Sequence, residues 1–228
     1  MPKMVVNSGN DEFFMPDDTH YWWANMPEPK HFLLMPNAEH TTATGALEEL
    51  PAIKAFINAV LNEEAVPQFT WEIDSDTGDI TVDVGDTKPH AVHMWHATTC
   101  NAARRDFRLI NLDSPCTCGI DVKGKCLNLK ISWAKTKLEE QTDRPGIYVA
   151  SQDEPAVGWT AFFVDVNYNS KRPSLVETKL WQGERFLEEV SWPIDWDHKY
   201  EFTTLVSIVP NSFPYPSCKS PNCPSNLV

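Results

Sequence analysis

Two residues stand out because their types and positions could support acid–base chemistry. Asp11 follows the apolar run at residues 3–8, and His40 follows a second apolar run at residues 31–35. In a parallel α/β sheet, functional groups lie on the loops that leave the carboxyl ends of the strands. A carboxylate on one such loop can orient the imidazole on the next, so that the imidazole deprotonates a nucleophile. The sequence therefore predicts a catalytic pair, Asp11 and His40.

The nucleophile expected beside such a pair is missing. Acid followed by histidine is the chain order of an α/β-hydrolase triad, in which a serine comes first. No G-x-S-x-G occurs in the sequence, and Ser8, the one serine before His40, precedes the acid in the same turn. Ser8 therefore cannot occupy a strand-to-helix elbow upstream of Asp11. Because acyl transfer needs the attacking group, we expect this chain to be inactive by itself.

Both residues also have ordinary structural explanations. Asp11 follows Gly9 and Asn10, a combination that is typical of turns. His40 stands before a patterned helix and could be a loop or helix-capping histidine. On the residues alone, both alternatives stay open.

The segments that would position the pair alternate between apolar runs and helical patterns. Residues 3–8 and 31–35 are predicted to be strands, and residues 16–23 a short helix that begins with N-cap chemistry. After His40, apolar residues recur at three- and four-residue spacing and predict a helix with Pro51 in its first turn. These apolar residues are Leu50, Ile53, Phe56, Ile57, Val60 and Leu61.

From Pro67 onward the pattern changes to short β-segments separated by turn residues. Residues 69–73 and 80–84 alternate apolar and polar positions around the turn sequence DSDTGD, which predicts a hairpin. The further predicted strands are residues 91–97, 107–110, 127–133, 147–150, 159–166 and 200–209. Around eight short strands without helical spacing predict an antiparallel β-sandwich.

These elements predict an α+β protein with two domains and a tail. Residues 1–66 are predicted to be the C-terminal end of an α/β-hydrolase lobe, and residues 67–213 the antiparallel β-sandwich. Residues 214–228 form a tail rich in Pro, Ser and Cys. Two parallel strands without the rest of their sheet leave an edge and an apolar face exposed, so we expect residues 1–66 to be the less stable part.

Charge and hydropathy exclude several classes of function. The net charge of −13, from 19 basic and 32 acidic residues, repels nucleic acid and anionic lipid surfaces. No apolar run approaches the length of a membrane span, and residues 1–9 lack the apolar core of a signal peptide. We predict no nucleic-acid partner, no membrane span, no cofactor and no export signal in this chain. Its protein partner or receptor and its oligomeric state are left open.

Six cysteines lie in loops punctuated by Pro and Gly and are even in number: Cys100, Cys116, Cys118, Cys126, Cys218 and Cys223. This placement indicates disulfides and hence an oxidising compartment, although reduced loop cysteines are the alternative and spacing does not determine the pairing.

The segment HAVHMWH at residues 90–96 contains three histidines, a residue type that commonly binds metal ions. On a strand, however, His90 and His96 face one side and His93 the other, so three ligands do not converge. A zinc site would require this segment to be helical or Cys100 to fold back towards it. We therefore predict no metal site.

Five segments together resemble one known family. They are VVNSGNDEFFMPDD at residues 5–18, LMPNAEH at residues 34–40, WHAT at residues 95–98, RDFR at residues 105–108 and GWTAFFV at residues 158–164. The sequence resembles the PhoPQ-activated pathogenicity-related family, which includes the autocrine proliferation repressor proteins. The resemblance implies a secreted α/β-hydrolase with an appended β-sandwich, in which Asp11 is the triad acid and His40 the triad histidine.

The chain also departs from that family. Family members carry a long N-terminal region that holds most of the hydrolase sheet and the nucleophile, whereas this chain starts near the last two strands. We interpret the chain as a truncated product or an incomplete gene model, and as the inactive C-terminal part of a secreted protein.

The alternative function is a β-sandwich that acts as a binding module for an extracellular signalling partner or a carbohydrate. Trp192 and Trp196, on either side of Pro193, are the candidates to stack on sugar rings.

Overall fold

A computed structural model describes residues 1–112, 115–169, 180–182, 185–187 and 199–212. This part of the chain is α+β, with one α-helix and mostly antiparallel sheets. The helix α1 spans Ala46–Leu61, and short 3-10 turns lie at Asp18–Tyr21, Trp23–Asn25, Ala43–Gly45 and Leu129–Ile131. The strands are β1 (Lys3–Ser8), β2 (Lys30–Met35), β3 (Thr70–Ile73), β4 (Ile80–Asp83), β5 (Ala91–Thr98), β6 (Ile110–Asn111), β7 (Ile120–Val122), β8 (Lys125–Leu127), β9 (Ala134–Lys137), β10 (Ile147–Ala150), β11 (Thr160–Asn169), β12 (Leu180–Gln182), β13 (Arg185–Leu187), β14 (Lys199–Thr203) and β15 (Ser207–Val209).

The two N-terminal strands are confirmed, and they pair in parallel. Their register runs from Lys3 opposite Lys30 to Ser8 opposite Met35. β2 is buried from its second residue to its last, as a continuous apolar run in a parallel pair should be. Because the strands are parallel and in register, the loops that carry Asp11 and His40 leave from the same edge.

The short helix predicted for residues 16–23 is helical only in part, and its predicted N-cap is wrong. Two 3-10 turns replace the predicted helix, at Asp18–Tyr21 and Trp23–Asn25, and the Asp17 side chain makes no capping hydrogen bond. Asp18 instead accepts a hydrogen bond from the backbone N–H of Met15 at 3.1 Å, which closes the preceding turn. The polar residues at this position therefore stabilise turns and not a regular helix.

The helix predicted after His40 is confirmed, and of the six apolar residues whose spacing predicted it, Phe56 alone is buried. The buried residues are Ala52, Ala55, Phe56 and Ala59. Leu50, Ile57 and Leu61 are exposed, Leu61 by 75%. Small alanine side chains let α1 lie close against β2 and β14, which turns the larger side chains outward. Pro51 lies in the second turn of α1, because the helix begins at Ala46.

Most of the remaining strands belong to two antiparallel sheets. One has the order β10-β4-β3, and it contains the predicted hairpin in the register Ile73 opposite Ile80. The other has the order β14-β11-β5-β9, with β15 also paired to β11. Val82 of β4 and Val164 of β11 belong to one buried cluster, which also includes Phe56 of α1.

Three predicted strands were placed wrongly. Of residues 107–110, Ile110 alone is in a strand, and of residues 127–133, Leu127 alone. The segment at residues 200–209 divides into β14 and β15, since three residues between the strands face two on β11. The extra residue forms a β-bulge, which Thr204 stabilises with two hydrogen bonds to Val164. The N–H of Thr204 donates to the Val164 carbonyl at 2.9 Å, and Oγ1 of Thr204 accepts from the Val164 N–H at 3.0 Å.

The hydrophobic clusters cross the predicted domain boundary at residue 66. Phe32 and Leu34 of β2 share a cluster with Trp133 and with Phe163 of β11. The backbone N–H of Leu34 donates to Oγ1 of Thr203 on β14 at 3.0 Å. The N-terminal strands are thus packed against the antiparallel sheet, while the division into two domains stays a prediction.

Two disulfides bear out the interpretation of the loop cysteines. Cys100 pairs with Cys118 and Cys116 with Cys126, with Cα–Cα distances of 5.7 and 5.1 Å. Cys218 and Cys223 lie outside the described residues, as do Trp192 and Trp196.

The histidine-rich segment forms β5, apart from His90, which precedes the strand. His93 points its Nδ1 towards Oδ2 of the buried Asp165, at 3.6 Å. Across the described part of the chain, no three His, Cys, Asp or Glu side chains are grouped to hold a metal ion. No helix there is long and apolar enough to cross a membrane.

His31 on β2 makes stability depend on pH. Its ring lies against Phe56 and Phe202, and burial lowers the pKa of His31 to about 4, an effect that nearby Glu28 opposes. An unfolded histidine titrates near its ordinary value of 6.5, so the unfolded state binds more protons between these two pKa values. Stability is therefore lost as the pH falls, by about 2 kcal/mol between pH 7 and pH 4.5.

We expect urea unfolding to show this loss as a difference between the natural protein and His31→Phe. The variant keeps a ring in the stack but cannot bind a proton, so its stability should fall less over the same pH range. If the stability of both proteins fell by the same amount over this pH range, the loss would not come from His31.

Candidate active site

The structure brings the two predicted residues into contact. Nδ1 of His40 lies 2.9 Å from Oδ2 and 3.0 Å from Oδ1 of Asp11. A carboxylate can only accept hydrogen bonds, so Nδ1 is the donor and carries the proton. The contact follows from the parallel pairing of β1 and β2, whose exit loops meet at one edge of the sheet.

The Asp11 carboxylate is also fixed by its own turn. Oδ1 accepts hydrogen bonds from the backbone N–H groups of Phe13 at 2.7 Å and Phe14 at 3.1 Å. The Asp11 side chain is 9% exposed, whereas that of His40 is 44% exposed. Asp11 therefore has both functions that the sequence left open: it stabilises a turn, and it orients a histidine.

The other ring nitrogen of His40 is available for chemistry. Nε2 lies on the far side of the ring from Nδ1 and has no hydrogen-bond partner within the described ranges. In a neutral imidazole with its proton on Nδ1, Nε2 is an acceptor. The rings of Phe13 and Phe14 lie 4.5 and 5.9 Å from the His40 ring, measured between centroids. The arrangement can thus remove a proton from a hydroxyl that approaches Nε2.

Glu12 is a positioning residue that the sequence analysis missed. Its Oε2 accepts the backbone N–H of His40 at 3.0 Å, which ties the His40 loop to the Asp11 turn. Its Oε1 is buried and has no hydrogen-bond partner among the described residues. The one available signal was the acidic pair Asp11-Glu12, and spacing alone does not show which acid orients the ring and which holds the backbone.

Asn37 and Trp133 anchor the His40 loop. Oδ1 of Asn37 accepts the Trp133 N–H at 2.7 Å, and Nδ2 of Asn37 donates to the Trp133 carbonyl at 3.1 Å. Asn37 has a φ of 58°, a left-handed conformation that asparagine adopts more readily than most residues. This pair of bonds joins the loop to a segment 96 positions further along the chain.

The Asp11 turn is anchored by the same segment. Trp133 Nε1 donates to the Gly9 carbonyl at 3.2 Å, and a Cβ on Gly9 would lie 2.9 Å from that nitrogen. Only glycine therefore allows this close approach. Nδ2 of the buried Asn10 donates to the carbonyls of Phe107 at 2.5 Å and Ile131 at 3.4 Å. These contacts had no signal in the sequence, because they join residues about a hundred positions apart.

Ser8 does not complete the site. It is buried, and its hydroxyl has no hydrogen-bond partner among the described residues. Its hydroxyl therefore makes no hydrogen bond to His40 that would activate it.

The segment that carries this geometry matches a known family. Residues 1–108 match the family described as PhoPQ-activated pathogenicity-related protein. Over these residues, the chain is similar to the PhoPQ-activated pathogenicity-related family. The family segment includes β1, β2, α1 and both Asp11 and His40, whereas the anchoring residues Ile131 and Trp133 lie beyond it.

A curated relative extends the similarity beyond residue 108. The chain is 32% identical over 231 aligned residues to Autocrine proliferation repressor protein A of Dictyostelium discoideum. The match covers 97% of this chain and 40% of the relative, so the chain spans about two fifths of the length of that curated relative. No solved structure matches the chain.

Proposed function

We propose that this chain is the C-terminal part of a serine-type α/β-hydrolase-fold protein, with Asp11 as the acid and His40 as the base of a catalytic triad. The observation that carries the proposal is the Nδ1–carboxylate contact of 2.9 Å, with Nε2 left open on the other side of the ring. The parallel pair β1–β2 with α1 would be the end of the hydrolase lobe, and the antiparallel sheets would form the appended β-sandwich.

The proposed chemistry is acyl transfer to a serine. His40 Nε2 takes the hydroxyl proton as the serine oxygen bonds to the acyl carbon, and it returns that proton to the leaving group as the bond to the leaving group breaks. Water then attacks the acyl-serine by the same route, with His40 again as the base. Asp11 holds the ring in the required tautomer and stabilises the imidazolium, while Glu12 holds the backbone of the histidine loop.

The serine would come from a region outside these 228 residues. The Dictyostelium relative is much longer than the part matched, so it has room for the rest of a hydrolase sheet. The two phenyl rings beside His40 are exposed, Phe13 by 74%, and we propose that the region with the serine packs against them.

We also propose that the whole protein acts outside the cell. Two disulfides in residues 100–126 are typical of an oxidising compartment. The printed name of the Dictyostelium relative, an autocrine proliferation repressor, agrees with an extracellular function.

The test begins with the transcript upstream of Met1. If it continues the reading frame, the longer product is expressed and treated with a fluorophosphonate, which labels activated serines covalently. We expect one labelled serine in that product, lost in His40→Ala and kept in His20→Ala, since His20 is an exposed histidine without a carboxylate partner among the described residues. A transcript that starts at Met1, or labelling that survives His40→Ala, would overturn the proposed function.

A further inference from the structure

A cavity of about 670 Å³ lies at the other end of β2 from the candidate active site. It lies between the start of β2 and the edge strand β3, and Phe202 and Thr203 of β14 also line it. Five aromatic residues line it: Trp23, Phe32, Phe69, Trp71 and Phe202. A volume in this range suits a small organic ligand. The length of β2 separates the cavity from the His40 loop, roughly 17 Å at the usual rise of a strand.

The cavity wall contains one histidine, His31, whose ring nitrogens bond to no other described residue. His31 lines the cavity and is 6% exposed, with its ring centroid 4.5 Å from that of Phe202. Neither ring nitrogen of His31 has a hydrogen-bond partner within the described part of the chain. The cavity therefore gives a ligand access to an imidazole that can donate one hydrogen bond and accept another.

The charges around the cavity favour a neutral ligand. The Lys30 ammonium donates to the carbonyls of Trp23 and Met26, both at 2.9 Å, and pairs with Glu28 at 3.2 Å. The Lys30 ammonium is therefore occupied by these three partners and is not free to bind an anionic ligand. Burial lowers the pKa of His31 to about 4, so the imidazole facing the cavity is uncharged near neutral pH.

The aromatic side chains that line the cavity favour a ligand with an aromatic ring. The Trp71 ring lies 5.5 Å from the Phe69 ring and 6.2 Å from the Trp23 ring, between centroids, which is the usual range for aromatic packing. A phenol matches both features of the site, because it has an apolar ring and one hydroxyl that can donate to or accept from an imidazole.

We propose that this cavity binds a neutral phenol ring whose hydroxyl hydrogen-bonds to the His31 imidazole while the ring packs against Phe69 and Trp71. The site is separate from the Asp11–His40 pair and does not depend on hydrolysis. The phenol could belong to a free small molecule or to a tyrosine side chain of a peptide, since both present the same group.

The 228-residue chain can be tested directly with p-cresol, and with toluene as the matched probe that lacks the hydroxyl. We expect p-cresol to shift the His31 ring resonances in a ¹H–¹³C NMR titration, and to bind at least ten-fold more tightly than toluene. His31→Phe should lose this preference, whereas His20→Ala should keep it. Equal binding of the two probes to the natural protein, or no shift at His31 with millimolar p-cresol, would overturn the proposal without any need for a variant.

A second titration distinguishes the two sources of the phenol. N-acetyl-tyrosine amide carries the same ring with a peptide backbone on either side. Tighter binding than p-cresol supports a tyrosine-bearing peptide, and weaker binding supports a free phenol. Phe69→Ala should weaken both probes in either case, because it removes one wall of the cavity.

Discussion

In the longer hydrolase that the proposed function requires, replacing Asp11 with asparagine is expected to lower kcat for the test ester 4-nitrophenyl butyrate about 10⁴-fold, the size of effect seen when a triad carboxylate becomes an amide. Asparagine keeps an Oδ1 that can accept the N–H groups of Phe13 and Phe14, so the turn survives. Its amide, however, places a donor against Nδ1 of His40. The imidazole then moves its proton to Nε2, where it can no longer act as a base.

Asp11→Asn thus tests the catalytic role of Asp11 without removing its contribution to the fold. Thermal unfolding of the variant should stay close to that of the natural protein, and His20→Ala should leave kcat unchanged. ¹⁵N NMR of the 228-residue chain should show the proton on Nδ1 of His40 in the natural protein and on Nε2 in Asp11→Asn. A variant that keeps its activity within ten-fold, or an unaltered tautomer, would show that Asp11 is a turn residue only.

Replacing Trp133 with alanine is expected to destabilise the protein by about 3–5 kcal/mol, the usual range for loss of a buried large aromatic residue. Trp133 is 3% exposed, and its ring lies 5.1 Å from that of Phe163, between centroids. The change also removes the Nε1 hydrogen bond to Gly9, next to the turn that holds Asp11. The Asp11–His40 contact should therefore loosen together with the core.

Urea unfolding at neutral pH measures this effect. Leu47→Ala is the control, because Leu47 is a large apolar residue that is mostly exposed, and we expect it to change stability by about 0.5 kcal/mol or less. Trp133→Phe should retain most of the packing but lose the hydrogen bond to Gly9. Its loss of stability should therefore lie between those of Leu47→Ala and Trp133→Ala. A loss below about 1 kcal/mol for Trp133→Ala would contradict the anchoring role.

The local pattern of the sequence was enough to predict the elements on which the candidate site stands. Residues 3–8 and 31–35 are apolar runs bounded by turn residues, and both are strands. Because parallel strands place their carboxyl ends at one edge, the pattern also predicted that Asp11 and His40 would lie near each other, and they are in contact. Spacing within a few residues is sufficient for such predictions, since it depends on the repeat of a strand.

The sequence was less informative wherever distant residues decide the outcome. Apolar spacing predicted α1 from residues that include Leu50 and Leu61, yet both are exposed, because the helix packs closely against β2 and β14 through its alanines. The division of residues 200–209 likewise depends on Thr204 and its bonds to Val164 on another strand. Periodicity shows which residues are apolar, but not how much space the neighbouring elements leave for them.

The sequence by itself thus determined which residues could be the acid and the base, and on which loops they lie. Only the tertiary structure decided how they are held: Asn37 and Gly9 through Trp133, Asn10 through Phe107, and the pairing of Cys100 with Cys118. The physical reason is that these contacts are single hydrogen bonds or covalent links between residues far apart in the chain. Their geometry exists only after the sheets have packed, so no local repeat in the sequence records it.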